Sequence, residues 1–412
     1  MIGEQYSIMK RIFFSLLLSI TFLIIFLLIS EAFFRIFRGA PEISLAKTTQ
    51  KDKRYLGKPN SAAYHKSDFP GEFAYTAHFN NFGYRGKDFS MPKKEGSVRI
   101  FLVGDSFTYG VGSEDEETIS SRMEEKLRGQ NIDIEVINAG AGHSSPIIHY
   151  NNLKNIHLQY GPDLVILLLD MTDLRDDWEF GRHAIYNKQG EIIAFDPLSI
   201  NGKRHWWRTC VHYSAFCKWF HDKILRLFNK ISLLGFKGYI KIKRQGMHAK
   251  GAIAISEDIA SEEVILRHDN LIFLRGRERQ KLIEKYWKKC TAQHLMRIKR
   301  LLADTGIPFI ITMYPYGIQV GKEQWARGRI ILGFEAGKIY TDRYSFELVE
   351  SFAQQNDIPF INTLDNFLQA EEKQFFFDYD GHLTPEGNKV LAQAIIENKA
   401  FKDILNRIGQ SR

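Results

Sequence analysis

Cysteine is scarce in this chain, with only Cys210, Cys217 and Cys290 among 412 residues. Three cysteines cannot build a disulfide framework, and their spacing matches no zinc pattern, so they read as packing residues. A Cys210–Cys217 bridge requires a break in the intervening chain, because one continuous helix would hold the two roughly 10 Å apart. Also missing are an internal repeat, an EF-hand spacing, a nucleic-acid motif and any Pro/Gly/Ser tract long enough to leave half the chain disordered. These absences exclude a disulfide-knotted scaffold and a zinc ribbon, and they leave no cofactor, metal or nucleic acid to be expected.

Charge is absent from Ile12 to Ser30, IFFSLLLSITFLIIFLLIS, a run bracketed by Lys10 and Arg11 before and Glu31 and Arg35 after. About 20 apolar residues span a bilayer core, whereas a cleaved signal has a shorter apolar region followed by small residues. The run continues into AFFRIF, which favours a retained anchor over a cleaved signal or a buried core helix. Lys10 and Arg11 are matched by Arg35 and Arg38, so the positive-inside rule is blunted. The expected division is a short tail at 1–11, an anchor at 12–34, a stalk at 35–72 and a catalytic body at 73–412. A short cytoplasmic tail and an exported body are the expected arrangement.

The formal net charge of +8 is concentrated between Gly181 and Lys250, where Arg182, Lys203, Arg204, Arg208, Lys218, Lys223, Arg226, Lys230, Lys237, Lys241, Lys243 and Arg244 face few acids. Such a stretch could meet anionic lipid or an acidic glycan, but a merely solvated basic face is the favoured reading.

Beyond the stalk, FAYTAHFN alternates as a half-buried strand does, and NNFGYRG follows as a turn. Then short apolar runs alternate with helical patterns. VRIFLV from Val98, IEVIN from Ile134, DLVILLL from Asp163, PFIITMY from Pro308 and IPFIN from Ile358 read as strands. Helices are expected at 118–127, with Ile119, Met123 and Leu127 on one face, at 278–304 and at 344–356. Continuous apolar strands between helices point to an α/β fold, a doubly wound, flavodoxin-like parallel sheet of five strands. A connection at about 176–276, with a hairpin turn at Asn187–Gly190, is long enough for a lid or a structural flap.

Chemistry gathers at two places. Gly104, Asp105 and Ser106 follow directly on the first strand, where parallel sheets present functional groups. A serine needs a base, and the base needs an orienting group. Asp380 and His382 supply both in FFFDYDGHLTPEGNKVLAQAI, just ahead of a helix announced by Thr384 as N-cap and Pro385 at its first position.

With these blocks in this order, residues 75–400 resemble the SGNH, or GDSL-like, hydrolases. The resemblance implies Ser106 as nucleophile, His382 as base and Asp380 as its orienting acid. It further implies an oxyanion site made by the main-chain N–H groups of Ser106 and of Gly140, in INAGAGHSS. NNFGYRG followed by RIFLVGDSFTYGVG is similar to membrane-anchored bacterial members, which implies an inner-membrane location with the body on the periplasmic side. Two departures stand out. The third block reads DMTD, placing Asp170 in the usual glycine slot and Thr172 in the asparagine slot, so the Thr172 hydroxyl is the expected substitute donor. The acid and base are spaced Asp-x-His, with Tyr379 in the usual acid position, which resembles the alginate-acetylation branch; Asp378 is the lesser candidate acid.

The resemblance implies an ester hydrolase acting on an ester-bearing small molecule or an O-acetylated exported glycan. An O-acyltransferase served by a membrane acyl-donor protein, and a catalytically silent glycan-binding or partner-binding module, are the alternatives. Other candidates are set aside as weaker: His143 as a substrate contact rather than a loop residue, the Asp173, Asp176 and Asp177 cluster as a cation site, and Trp206, Trp207 and Trp219 as sugar platforms or interfacial aromatics.

Overall fold

A computed structural model describes residues 2–38, 48–49, 56–196, 199–200, 203–204, 206–221, 223, 262–371 and 373–410. Residues 224–261, which hold the basic run from Arg226 to Arg244, lie outside the described residues. The chain divides into two compact units. One comprises the N-terminal 47 residues with Arg182–Ile185 and Ala194–Met247, and the other comprises Thr48–Gly181, Tyr186–Ile193 and His248–Arg412.

In the first unit a single helix runs from Ile2 to Arg38, and its stretch Met9–Phe37 is long and apolar enough to cross a membrane. The short helix Ala215–Phe220 packs against it, and the short helix Trp206–Tyr213 packs on that one in turn. The joint between them corrects the expectation for two cysteines. Ser214 leaves the helical region, with φ −112° and ψ 125°. That break folds the chain back until Cys210 and Cys217 lie 5.8 Å apart at their Cα atoms and form a disulfide. Cys290, in the other unit, is a buried free thiol.

The second unit, which begins at Thr48, contains a hairpin, β1 (Ser61–Lys66) and β2 (Ala74–Phe79), paired antiparallel from Ser61 opposite Phe79 to Lys66 opposite Ala74. Residues 61–72, expected in the stalk, therefore belong with the body. β1 escapes detection in sequence because it is half exposed and carries Tyr64, His65 and Lys66 in place of an apolar run.

The main sheet has five parallel strands: β3 (Val98–Gly104), β4 (Ile134–Gly140), β5 (Leu164–Leu169), β6 (Phe309–Met313) and β7 (Phe360–Asn362). Their spatial order is β7-β6-β5-β3-β4, so the winding reverses beside β3. Every residue of β3 and β5 is buried, which is why β5 reads as an unbroken apolar run and β3 as one broken only by Arg99, whose buried guanidinium pairs with Glu135 at 2.7 Å and donates to the Tyr160 carbonyl at 2.6 Å. The helix Ile119–Arg128 is capped by the Thr118 hydroxyl and buries Ile119, Met123 and Leu127. Each such side chain stabilises the fold by about 1.5–3 kcal/mol relative to exposure. The long C-terminal helical pattern divides into Gln280–Tyr286 and Ala292–Asp304, joined by a π turn at Trp287–Thr291, and Tyr344–Gln355 follows. The turn at Asn187–Gly190 is closed by the Gly190 N–H donating to the Asn187 carbonyl at 3.0 Å.

Candidate active site

In open parallel sheets the ligand crevice lies at the carboxyl ends of the strands where the winding reverses. Ser106 stands at that place, two residues beyond the end of β3, and begins a four-residue helical turn, Ser106–Tyr109. The Asp105 carboxylate caps this turn by accepting the Phe107 N–H at 2.9 Å. Two glycines let the turn settle on the strand ends. A Cβ on Gly104 would lie 2.0 Å from the Thr108 hydroxyl, and one on Gly140 would lie 2.1 Å from the Tyr109 nitrogen.

His382 arrives from the other end of the chain. Its loop is closed by the Phe377 N–H donating to the His382 carbonyl at 2.9 Å and by the Thr384 N–H donating to the Phe375 carbonyl at 2.9 Å. Gly381 turns the loop at φ +88°, with no room for a Cβ against the Trp325 indole. The helix Pro385–Glu397 then starts with the Thr384 hydroxyl accepting the Gly387 N–H. Asn388 on that helix donates to the Ser113 hydroxyl at 2.9 Å and to the Glu117 carbonyl at 3.1 Å, which ties the histidine loop to the segment after the serine turn.

His382 Nε2 lies 2.8 Å from Ser106 Oγ, and His382 Nδ1 is hydrogen-bonded to Asp380 Oδ1. A neutral imidazole in this arrangement donates from Nδ1 to the carboxylate and presents an unprotonated Nε2 to the hydroxyl. Burial works to raise the Asp380 carboxyl, but the hydrogen bond and charge of His382 outweigh it, and the group sits below the ordinary value of 3.8. Asp378 faces away from this arrangement and pairs with Arg327 at 3.0 Å. Tyr379, in the position where related motifs carry the acid, accepts from Arg327 through its hydroxyl and stacks on Phe69 at 4.6 Å.

Gly140 departs from its expected role. Its N–H donates to Asn138 Oδ1 at 3.0 Å, and the chain continues with Ala141 donating to the Gly104 carbonyl at 2.9 Å. The glycine is required by the close approach of the serine turn, and its N–H is already satisfied by a side chain two residues back. Ser106 is the first residue of its turn, where N–H groups have no intrahelical partner. Thr172 leaves the end of β5, the strand next to β3, and is half buried with its N–H held by Asp170 Oδ1 at 2.7 Å.

Asp170 has a structural part that the third-block comparison did not reveal. Fully buried, it accepts the Tyr314 hydroxyl at 2.7 Å, the Tyr316 hydroxyl at 3.0 and 3.1 Å, and the Thr172 N–H. Phe107 packs against both tyrosine rings and against His382, at centroid distances of 4.9, 5.3 and 4.6 Å. The carboxylate thus braces the wall behind the serine turn. Burial, joined by the charge of Asp170, pushes the neighbouring Asp105 carboxyl well up. In Asp170→Ala the two buried hydroxyls lose their acceptor, at about 1–3 kcal/mol each. Urea unfolding is expected to show a loss on the order of 2 to 5 kcal/mol, with a smaller loss in Asp170→Asn; equal stability of Asp170→Ala and wild type would refute the bracing role.

The other acids of this stretch are similarly occupied. Asp173 accepts the Asp170 N–H at 2.8 Å, Asp176 pairs with Arg175 at 2.9 Å, and Asp177 accepts the Ile147 N–H at 2.9 Å. Among the described residues no group of acids, histidines or cysteines is arranged to hold a metal. His143 is exposed in a left-handed conformation at φ +54°. Burial pushes the Asp177 carboxyl up to about 7 despite the Ile147 hydrogen bond. Between its ordinary value of 3.8 and that value, the native state keeps a proton that the unfolded chain has released, so Asp177 costs stability as pH rises through this window. Asp177→Asn is therefore expected to raise the thermal midpoint more at pH 8 than at pH 5, and an equal shift at both would count against it.

Two positioning residues were not singled out in the sequence. Glu72, in the β1–β2 connection, accepts the Tyr379 N–H at 2.6 Å and the Asp380 N–H at 3.2 Å, and so holds the acid's main chain. Arg85, buried in NNFGYRG, donates to the Tyr109 and Gly110 carbonyls at 2.9 and 2.8 Å and to Asp115 at 2.7 Å, gripping the far end of the serine turn. For the second, the signal available in sequence is an arginine inside a glycine-containing turn; nothing local marks the first.

No family model and no curated protein matches the chain. Similar solved structures include the acetyl xylan esterase AlAXEase, with 13% identity and a TM-score of 0.34 over 73% of this chain and 98% of that one. A family 3 carbohydrate esterase of Clostridium thermocellum aligns at 12% identity and a TM-score of 0.36, over 76% of this chain and 99% of that one. TesA aligns at 11% and 0.34, over 75% and 99%.

Proposed function

We propose that the chain is a membrane-anchored serine hydrolase of the SGNH type that cleaves esters through an acyl-serine intermediate. The observation that carries this reading is the 2.8 Å approach of His382 Nε2 to Ser106 Oγ, with Nδ1 of the same ring on Asp380. His382 Nε2 takes the hydroxyl proton as Ser106 Oγ attacks the ester carbonyl carbon. The Ser106 N–H faces the developing oxyanion, and the Thr172 hydroxyl is the second donor; Gly140 is not one, because its N–H is already given to Asn138. The imidazolium then protonates the leaving alkoxide as the carbonyl–oxygen bond breaks, which leaves the acyl group on Ser106. Water, deprotonated by the same imidazole, attacks the acyl-serine and releases the acid.

The substrate class is an acyl ester, with an O-acetylated exported glycan as the specific expectation. Met9–Phe37 serves as the membrane anchor, and the body after it lies on the exported side. The decisive experiment is labelling of the full-length protein with a fluorophosphonate, followed by acetate release from p-nitrophenyl acetate and mass analysis of added glycan oligomers. A labelled Ser106 with released acetate supports hydrolysis, and acetyl groups appearing on the oligomers instead indicate acyl transfer. An unlabelled, inert protein overturns the enzymatic reading in favour of a binding module.

A further inference from the structure

The helix pair at 206–220 is attached to the anchor helix through its joint. Glu31, the first charge after the apolar run, accepts the Ser214 hydroxyl at 2.6 Å and the main-chain N–H groups of Ala215 and Phe216 at 3.0 and 3.1 Å. It caps the start of the second short helix. Arg35, one turn further along the anchor, pairs with Glu31 at 2.6 Å and donates to the Tyr213 carbonyl at 2.9 Å, the end of the first short helix. An anion at a helix start and a cation at a helix end are both in the favourable sense of the helix dipole. The Cys210–Cys217 disulfide closes the same joint from the other side.

Below this polar clasp the contacts are aromatic. Phe216 packs on Phe26 and Phe34 at 6.5 and 5.9 Å, and Trp219 stacks on Phe34 at 4.8 Å. At 1.5 Å per residue, Phe26 to Arg35 covers roughly 13 Å of the anchor, its last turns before the charged flank. Any element packed side-on against that stretch of a membrane-crossing helix lies at the depth where hydrocarbon gives way to headgroups. Its exposed side chains suit that layer: Trp206 is 82% exposed, Tyr213 and Phe220 are exposed, and so are Lys203, Lys218 and Lys223. Tryptophan, tyrosine and lysine are the side chains that membrane interfaces favour.

We infer that the disulfide-closed helix pair Trp206–Phe220 is an interfacial foot, seated in the headgroup layer of the bilayer that its own anchor crosses. It rests on the anchor reading above and is independent of the esterase chemistry. The disulfide also assigns a side, since such bonds form and persist in oxidising compartments. The carboxyl end of the anchor, and the chain that follows, face that compartment.

The test uses the full-length protein in phosphatidylethanolamine/phosphatidylglycerol vesicles containing lipids brominated near the headgroup, beside the double variant Trp206→Phe, Trp219→Phe. Wild-type tryptophan emission is expected to be quenched by the brominated lipid, and the quenched fraction to fall at least twofold in the variant. Equal quenching in both overturns the foot. So does acrylamide quenching that is unchanged by vesicles, which would indicate a face kept for a protein partner. Alkaline carbonate extraction separates this from failure of the anchor: protein released to the supernatant refutes the anchor, whereas pelleted protein with unquenched tryptophan refutes only the foot. Non-reducing peptide mapping of membrane-fraction protein is expected to find Cys210 linked to Cys217 and only Cys290 alkylated. Free Cys210 and Cys217 would overturn the assignment of side.

Discussion

Replacing Ser106 with alanine is expected to lower kcat for p-nitrophenyl acetate by on the order of 10⁴- to 10⁶-fold and to abolish fluorophosphonate labelling, with KM and the thermal midpoint nearly unchanged. The size of the effect follows from the loss of the covalent route, which no neighbouring side chain can replace. The hydroxyl is half buried and makes its short contact with His382, so its removal leaves no isolated charge and little packing to lose. His382→Ala is expected to cost a similar factor, because an unassisted serine hydroxyl is a poor nucleophile at neutral pH. Groups that act as one unit are strongly non-additive, so the double variant should be scarcely slower than either single one. Multiplicative losses in the double variant would mean that the two side chains act separately, and the 2.8 Å contact would then carry no mechanism.

Asp380→Asn is expected to reduce kcat by about 10³- to 10⁴-fold while KM moves only slightly. The asparagine keeps the size of the side chain, but its amide no longer enforces a proton on His382 Nδ1, and it does not compensate the imidazolium formed during attack. The sign of the accompanying pH effect is fixed by the depressed carboxyl. Because Asp380 in the folded protein lies below its ordinary value of 3.8, the stabilisation from its ionised form is complete above that value and is lost as pH falls through the folded value. Wild type should therefore lose stability relative to Asp380→Asn only in acid, below about pH 4. A variant retaining most of wild-type kcat would transfer the orienting role elsewhere; Asp378, paired with Arg327, is not placed to take it.

The hydrophobic code carried the fold. Val98–Val103 and Leu164–Leu169 could be read as central strands because a strand buried on both faces is apolar at nearly every position, Arg99 being the one exception in these two runs. The face Ile119, Met123 and Leu127 marked its helix by spacing, and Thr384 with Pro385 marked the start of another by their capping chemistry. Local sequence was also enough to single out Ser106, Asp380 and His382, since a strand-end serine and an acid-histidine pair ahead of a helix are short-range patterns. Where such patterns are absent, local sequence says little: β1 is a half-exposed strand without alternating apolar positions, and nothing in its composition separates it from a stalk.

What sequence determined by itself was thus the alternation of apolar strands and helices, the long apolar N-terminal run, and which residue types stand at the ends of which strands. Only the tertiary structure decided the partners. It spent the Gly140 N–H on Asn138, joined Asp170 to two tyrosines more than a hundred residues away, and brought Glu72 to the main chain of Asp380. It also broke the helix at Ser214 so that Cys210 could meet Cys217. The reason is physical. Burial and periodicity act on each residue through its neighbours in sequence, whereas a hydrogen bond or a disulfide depends on which distant group the finished packing brings within about 3 Å of it.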